Sequence, residues 1–100
     1  MNIRDINEQF INLYRKVYDI IDIRECDFTP QLSEILICFV VKTEKKKDVF
    51  LNNSYENCCQ EYLNFVKKND DYSGLTYNFM VLSKEEVKKK YDGSYYYAML

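Results

Sequence analysis

One hundred residues suit a single small domain, and 47% hydrophobic with 30% charged residues is the mix of a folded globular chain, which argues against a disordered class. Fourteen basic against 16 acidic residues leave a formal charge of −2, too balanced for a dedicated DNA-wrapping protein. The chain has no His, so triads and zinc sites built on imidazole fall away, and two glycines, Gly74 and Gly93, are too few for a phosphate-cradling loop.

The opening residues, Met1-Asn2-Ile3-Arg4-Asp5, lack the basic start and apolar centre of a secretory leader, so a cytoplasmic location is expected. Ile3, Ile6, Phe10, Leu13, Val17 and Ile20 recur at helical spacing and predict a helix whose apolar stripe packs on a sheet. Asn2 is positioned to cap it, and Asp5 places a negative charge in its first turn.

Two strands are expected next, Ile23 to Phe28 and Leu32 to Lys42, joined through Thr29-Pro30-Gln31 as a hairpin. A turn centred on Leu32 sets Cys26 opposite Cys38 and Phe28 opposite Leu36, and gives one apolar face of Cys26, Phe28, Leu36, Cys38 and Val40. Ile35, Ile37, Phe39 and Val41 take the other face, so either helices cover both sides or one side is open to a partner. The run Ile35 to Val41 is far shorter than the roughly 20 residues that cross a bilayer as a helix, and no membrane association is expected.

Thr43 to Asp48 reads as a charged loop, with Val49-Phe50-Leu51 either a short strand or the lead into a helix. Asn53 or Ser54 can cap a second helix, Asn53 with Glu56 resembling a capping box, and Tyr55, Cys58, Cys59, Tyr62, Phe65 and Val66 predict that helix to end near Lys68. Asn69 to Gly74 is turn chemistry. Leu75, Tyr77, Phe79 and Val81 alternate with Thr76, Asn78, Met80 and Leu82 as in a strand. Ser83 with Glu86 then starts a short helix through Tyr91, Asp92-Gly93 stops it, and Tyr95 to Leu100 reads as a terminal strand. The whole is expected to be one α+β domain over residues 1–100, in the order α-β-β-α-β-α-β, with about four mainly antiparallel strands, two longer helices and one short helix.

Cys26, Cys38, Cys58 and Cys59 show no Cys-x-x-Cys spacing and read as reduced thiols. The carboxylate pairs Glu85-Glu86 and Asp70-Asp71 suit a helix start and a solvated loop, so no metal, cofactor or catalytic residue is assigned. The segment Lys88-Lys89-Lys90-Tyr91-Asp92-Gly93-Ser94-Tyr95-Tyr96-Tyr97 sets cations beside aromatic rings. Strand alternation sends Tyr95 and Tyr97 to one side and Tyr96 to the other. Such composition suits a non-enzymatic protein-interaction module, a small regulator or inhibitor. It would use Tyr95, Tyr96, Tyr97, Lys88, Lys89 and Lys90, with Ile37 and Phe39 on an open sheet face, and a second copy of the chain counts among its partners. The alternative is a single-stranded nucleic-acid-binding protein that uses the Lys88–Tyr97 segment for phosphate attraction and base stacking. The bias toward Lys, Asn, Ile, Tyr and Asp is that of an AT-rich bacterial or phage genome, and the chain resembles accessory proteins of mobile elements in a general way.

Overall fold

The structure, a computed structural model, describes residues 2–29, 33–68 and 74–100, with the backbone alone for 27–29. Along the chain lie α1 (Ile3–Tyr18), β1 (Asp22–Thr29), β2 (Glu34–Val41), α2 (Glu44–Asn53), α3 (Tyr55–Val66), β3 (Thr76–Ser83), α4 (Lys84–Tyr91) and α5 (Tyr95–Ala98). The class is α+β, as expected, but the sheet has three strands in the order β1-β2-β3 among the described residues, not four. It is mixed, β1 antiparallel and β3 parallel to β2. A parallel neighbour needs a crossover to carry the chain back, and α2 with α3 supplies it.

Two of the corrected elements are helices built on caps. In the segment expected to be a charged loop, the Thr43 hydroxyl accepts the Lys46 N–H at 3.2 Å and starts α2. The expected terminal strand is instead α5, where the Ser94 hydroxyl accepts the Tyr97 N–H at 3.3 Å and Met99 N–H reaches the Tyr95 carbonyl at 3.0 Å. Asn53 and Glu56 do not form the expected box, because α2 runs through Asn53 and the N-cap of α3 is Ser54. The Asn2 cap forms as expected, its side chain accepting the Asp5 N–H at 2.9 Å.

The β1–β2 register is displaced by two residues from the expected one: Cys26 faces Leu36 and Arg24 faces Cys38. Cys26 and Cys38 are therefore not opposite each other. The displacement is even, so the paired residues up to Cys26 keep their expected faces, and the pairing then shifts by one residue between Cys26 and Thr29. Phe28 and the expected turn at Leu32 lie outside the described side chains, as does the turn over residues 69–73.

Helices cover both faces of β2. Ile35, Ile37, Phe39 and Val41 pack with Phe10 of α1, Phe50 of α2 and Tyr62 of α3. Leu36, Cys38 and Val40 pack with Val87 of α4 and with Ala98 and Met99 at α5. Ile37 and Phe39 are 0% exposed, which corrects their assignment to a partner-binding face. A central strand apolar on both sides is the mark of a sheet buried on both sides.

On α1 the expected stripe holds only in its first half. Ile6 and Phe10 are buried, but Leu13 and Val17 lie exposed, while Asn7 and Ile11 are buried in their place. The rotation follows an aromatic ladder: Phe10, Tyr14 and Tyr18 succeed one another at centroid separations of 4.6 and 5.7 Å. The Tyr14 hydroxyl donates to Glu61 of α3 at 3.0 Å, which also raises its pKa above the ordinary phenol value. Beyond the helix, Asp19 turns the chain in a left-handed conformation (φ 56°) and delivers Ile20 into the core.

One polar chain crosses this core. The Tyr62 hydroxyl donates to Asn7 Oδ1 at 2.6 Å, and Asn7 Nδ2 donates to Glu25 Oε2 of β1 at 2.8 Å. Burial pushes the Tyr62 phenol well above its ordinary pKa, so it remains a donor across the physiological range. Tyr62→Phe leaves the buried Asn7 oxygen without its donor. The expected cost is about 1–3 kcal/mol in urea unfolding, and an unchanged midpoint would show that Asn7 draws nothing from this bond. Among the described residues, no helix is long and apolar enough to cross a membrane.

Candidate functional site

The surface singled out by the sequence is built where β3 ends. There Ser83 and Glu86 form the expected capping box, with Glu86 N–H donating to Ser83 Oγ at 2.9 Å and Ser83 N–H donating to Glu86 Oε2 at 3.0 Å. Lys47 Nζ of α2 donates to the same carboxylate at 2.7 Å, and Ser83 Oγ donates to Glu44 Oε1 at 2.6 Å, so α2 is clamped to the start of α4. Burial alone would raise the Glu86 pKa, but the bonds from Lys47 and the Ser83 N–H, with the neighbouring Glu44 carboxyl, hold it below the usual carboxylate range. These acids are structural, which agrees with reading Glu85-Glu86 as a helix start.

With Val87 turned into the core, Lys88, Lys89 and Lys90 stand exposed on α4, where cations favour the negative end of the helix dipole. Lys89 approaches Glu85 one turn earlier at 3.9 Å. Asp92 (φ 51°) and Gly93 (φ 83°) then reverse the chain through left-handed conformations.

α5 docks by one side only. Ala98 and Met99 are buried, and Tyr95 is half-buried beneath Arg24, whose guanidinium carbon lies 4.4 Å from the ring centroid. Asp22 steadies Arg24 from 2.8 Å. Tyr96, Tyr97 and Leu100 remain outside, 67%, 64% and 72% exposed. Because the segment is helical, Tyr95 is separated from Tyr97, while Tyr96 and Tyr97 sit side by side, centroids 5.5 Å apart and planes at 72°. Lys88, Lys89 and Lys90 on α4 and Tyr96 and Tyr97 on α5 are thus each exposed, Tyr95 is half-buried, and Ile37 and Phe39 lie in the core.

A second apolar surface was hidden from the sequence. Val17 and Val49 flank a groove of about 380 Å³ between the end of α1 and α2, with Lys45, Lys46 and Asp19 on its rim. Lys46 Nζ closes onto Asp19 at 2.7 Å. Its signal lay in the rival stripe Asn7, Ile11, Tyr14 and Tyr18, equally helical in spacing, which competes with Leu13 and Val17 for the core.

The four cysteines are free. Cys58 is buried and Cys59 half-buried, as expected of neighbours about 100° apart on a helix. Burial pushes Cys38 up to about 12 and Cys59 up to about 11, and raises Cys58 further, so all three stay protonated thiols near neutral pH. Among the described residues, no three His, Cys, Asp or Glu side chains gather where a metal ion could bind. Asp70 and Asp71 lie outside the described residues. Comparison with family models, with curated proteins and with solved structures finds no match to this chain.

Proposed function

We propose that this chain is a non-enzymatic protein-interaction module, a small regulator or inhibitor, and that it docks through Tyr96, Tyr97 and Leu100 with Lys88, Lys89 and Lys90 at the rim. The exposure of those three large side chains carries the reading, because Ala98 and Met99 between them are buried and α5 is already anchored. Tyrosine offers apolar area and a polar tip at low entropic cost, and it is enriched among the anchors of interfaces. The edge-to-face contact of the two rings holds them in one arrangement before any partner arrives. The lysine rim favours a partner surface rich in Asp and Glu. Free cysteines suit a reducing, cytoplasmic setting.

The nucleic-acid alternative draws on the same lysines. The edge-to-face pair leaves at least one face of each ring free for a base, so what favours a protein partner is the balanced formal charge of −2, which gives a polyanion little overall attraction.

The test compares the parent chain with a Tyr96→Ser, Tyr97→Ser double variant. Both positions are exposed, so stability is expected to stay within about 0.5 kcal/mol per substitution. Affinity for a protein retained from extract by the parent chain should fall by about 30-fold or more, as loss of an aromatic anchor implies. Undiminished protein binding overturns the reading. Binding of single-stranded DNA or RNA that vanishes on neutralising Lys88, Lys89 and Lys90, with no protein retained, replaces it by the alternative.

A further inference from the structure

α1, α2 and α3 pack on one face of the sheet and α4 and α5 on the other, so the groove between α1 and α2 lies across the sheet from Tyr96 and Tyr97. Its apolar walls stand open: Val17 is 66% exposed and Val49 54%. Leu13, one turn before Val17 on the same flank of α1, is 64% exposed and lengthens the apolar strip beyond the groove. Tyr18 and Phe50 line the groove and also pack into the core, so its base is held in place.

The charges around this strip are uneven. Lys45 and Lys46 are exposed on its α2 side, and Lys16, three residues after Leu13, is exposed on its α1 side. Among the described residues that line the groove, Asp19 is the one acid. Asp48 lies about 100° round α2 from Val49, on the side away from Phe50, and Glu44 is engaged by the Ser83 hydroxyl. The surface is therefore locally cationic on a chain of formal charge −2. Lys45 and Lys46 also occupy the first turn of α2, where the helix dipole disfavours cations and attracts anions. Asp19 meets Lys46 at 2.7 Å, but the two side chains are 67% and 45% exposed, so the pair holds weakly against a competing carboxylate.

We propose that this groove binds an acidic amphipathic helix of a partner protein. The helix sets its apolar residues against Leu13, Val17 and Val49, and its Asp or Glu residues against Lys16, Lys45 and Lys46. A helix fits because the receiving strip is a cleft between two helices, and Leu13 and Val17 are spaced by the interval at which a third helix presents its own apolar side chains. The sign of the rim selects an acidic helix over a basic one, since an incoming carboxylate meets the lysines and the positive end of the α2 dipole together. The groove does not depend on the Tyr96–Tyr97 surface, and its failure would leave that reading untouched.

Amide chemical shifts of the intact chain, titrated with two synthetic helical peptides, test this. Both peptides carry the same stripe of Leu on an Ala background, one flanked by Glu and the other by Lys. The Glu peptide should move the Val17, Lys45, Lys46 and Val49 amides with a Kd below about 1 mM, and the Lys peptide should bind about tenfold more weakly or worse. Val17→Ser combined with Val49→Ser should weaken the Glu peptide by about tenfold or more. Lys16→Glu combined with Lys45→Glu should reverse the preference between the peptides. All four positions are exposed, and if a variant still fails to fold, the two peptides on the parent chain decide alone. Equal affinity for the two peptides, or Glu-peptide binding weaker than about 1 mM, overturns the proposal. Shifts confined to the Tyr96 and Tyr97 amides overturn it too, while leaving the other surface standing. So does movement of the groove amides by phosphatidylglycerol vesicles and not by the Glu peptide, which would assign the groove to a membrane surface.

Discussion

Phe39→Ala is expected to lower the unfolding free energy by about 3–5 kcal/mol, a large part of the about 5–15 kcal/mol available to a domain of this size. Phe39 is 0% exposed at the centre of β2. Its ring lies 5.6 Å from that of Phe79, stacked, and 5.9 to 6.4 Å from those of Tyr62, Phe50 and Phe10. Truncation removes the shared neighbour of rings from three helices and the adjacent strand, and partial collapse cannot refill that volume. Equilibrium urea unfolding checks it through the midpoint at constant slope. A variant of near-parent stability would return Phe39 to the surface role that the sequence suggested.

Lys47→Met should cost about 3 kcal/mol at neutral pH, because the Glu86 carboxylate would be left in place without its cation. The pair is short, 2.7 Å, and the side chains are only 22% and 9% exposed, so water compensates little. Glu86 has a lowered pKa in the folded chain. Its contribution is thus fully present above the unfolded value near 4.5 and is lost as pH falls through the lower folded value. The parent chain should lose stability on acidification through that window. Lys47→Met should begin lower and lose less, since Glu86 without Lys47 is easier to protonate. Parallel acid limbs in the two proteins would show that Lys47 does not hold the Glu86 charge.

What the sequence made legible was local chemistry with a single solution. Asn2 and the Ser83–Glu86 box cap their helices because small polar residues there have orphan N–H groups within reach. The two faces of β2 were legible because alternation survives an even register shift. Competition between local signals defeated the rest. The Thr43 cap was obscured by the charges of Glu44 to Asp48, and the ring-rich segment after Ser94 satisfies strand propensity, yet among the described residues no strand pairs with it. The parallel course of β3 follows from the α2–α3 crossover, so misreading α2 as a loop concealed it. Of the candidate site, Lys88, Lys89, Lys90, Tyr96 and Tyr97 are exposed, whereas Ile37 and Phe39 are buried, because nothing in β2 itself says that α1, α2 and α3 cover their face.

Site-specific photo-cross-linking tests the central claim most directly. A photoreactive phenylalanine in place of Tyr97 keeps a ring at the position, and an exposed residue away from α5, Lys67, serves as the control. The account predicts a discrete protein adduct from Tyr97 in the source cell that is absent from Lys67. Adducts to nucleic acid alone, or equal protein adducts from both positions, would contradict it.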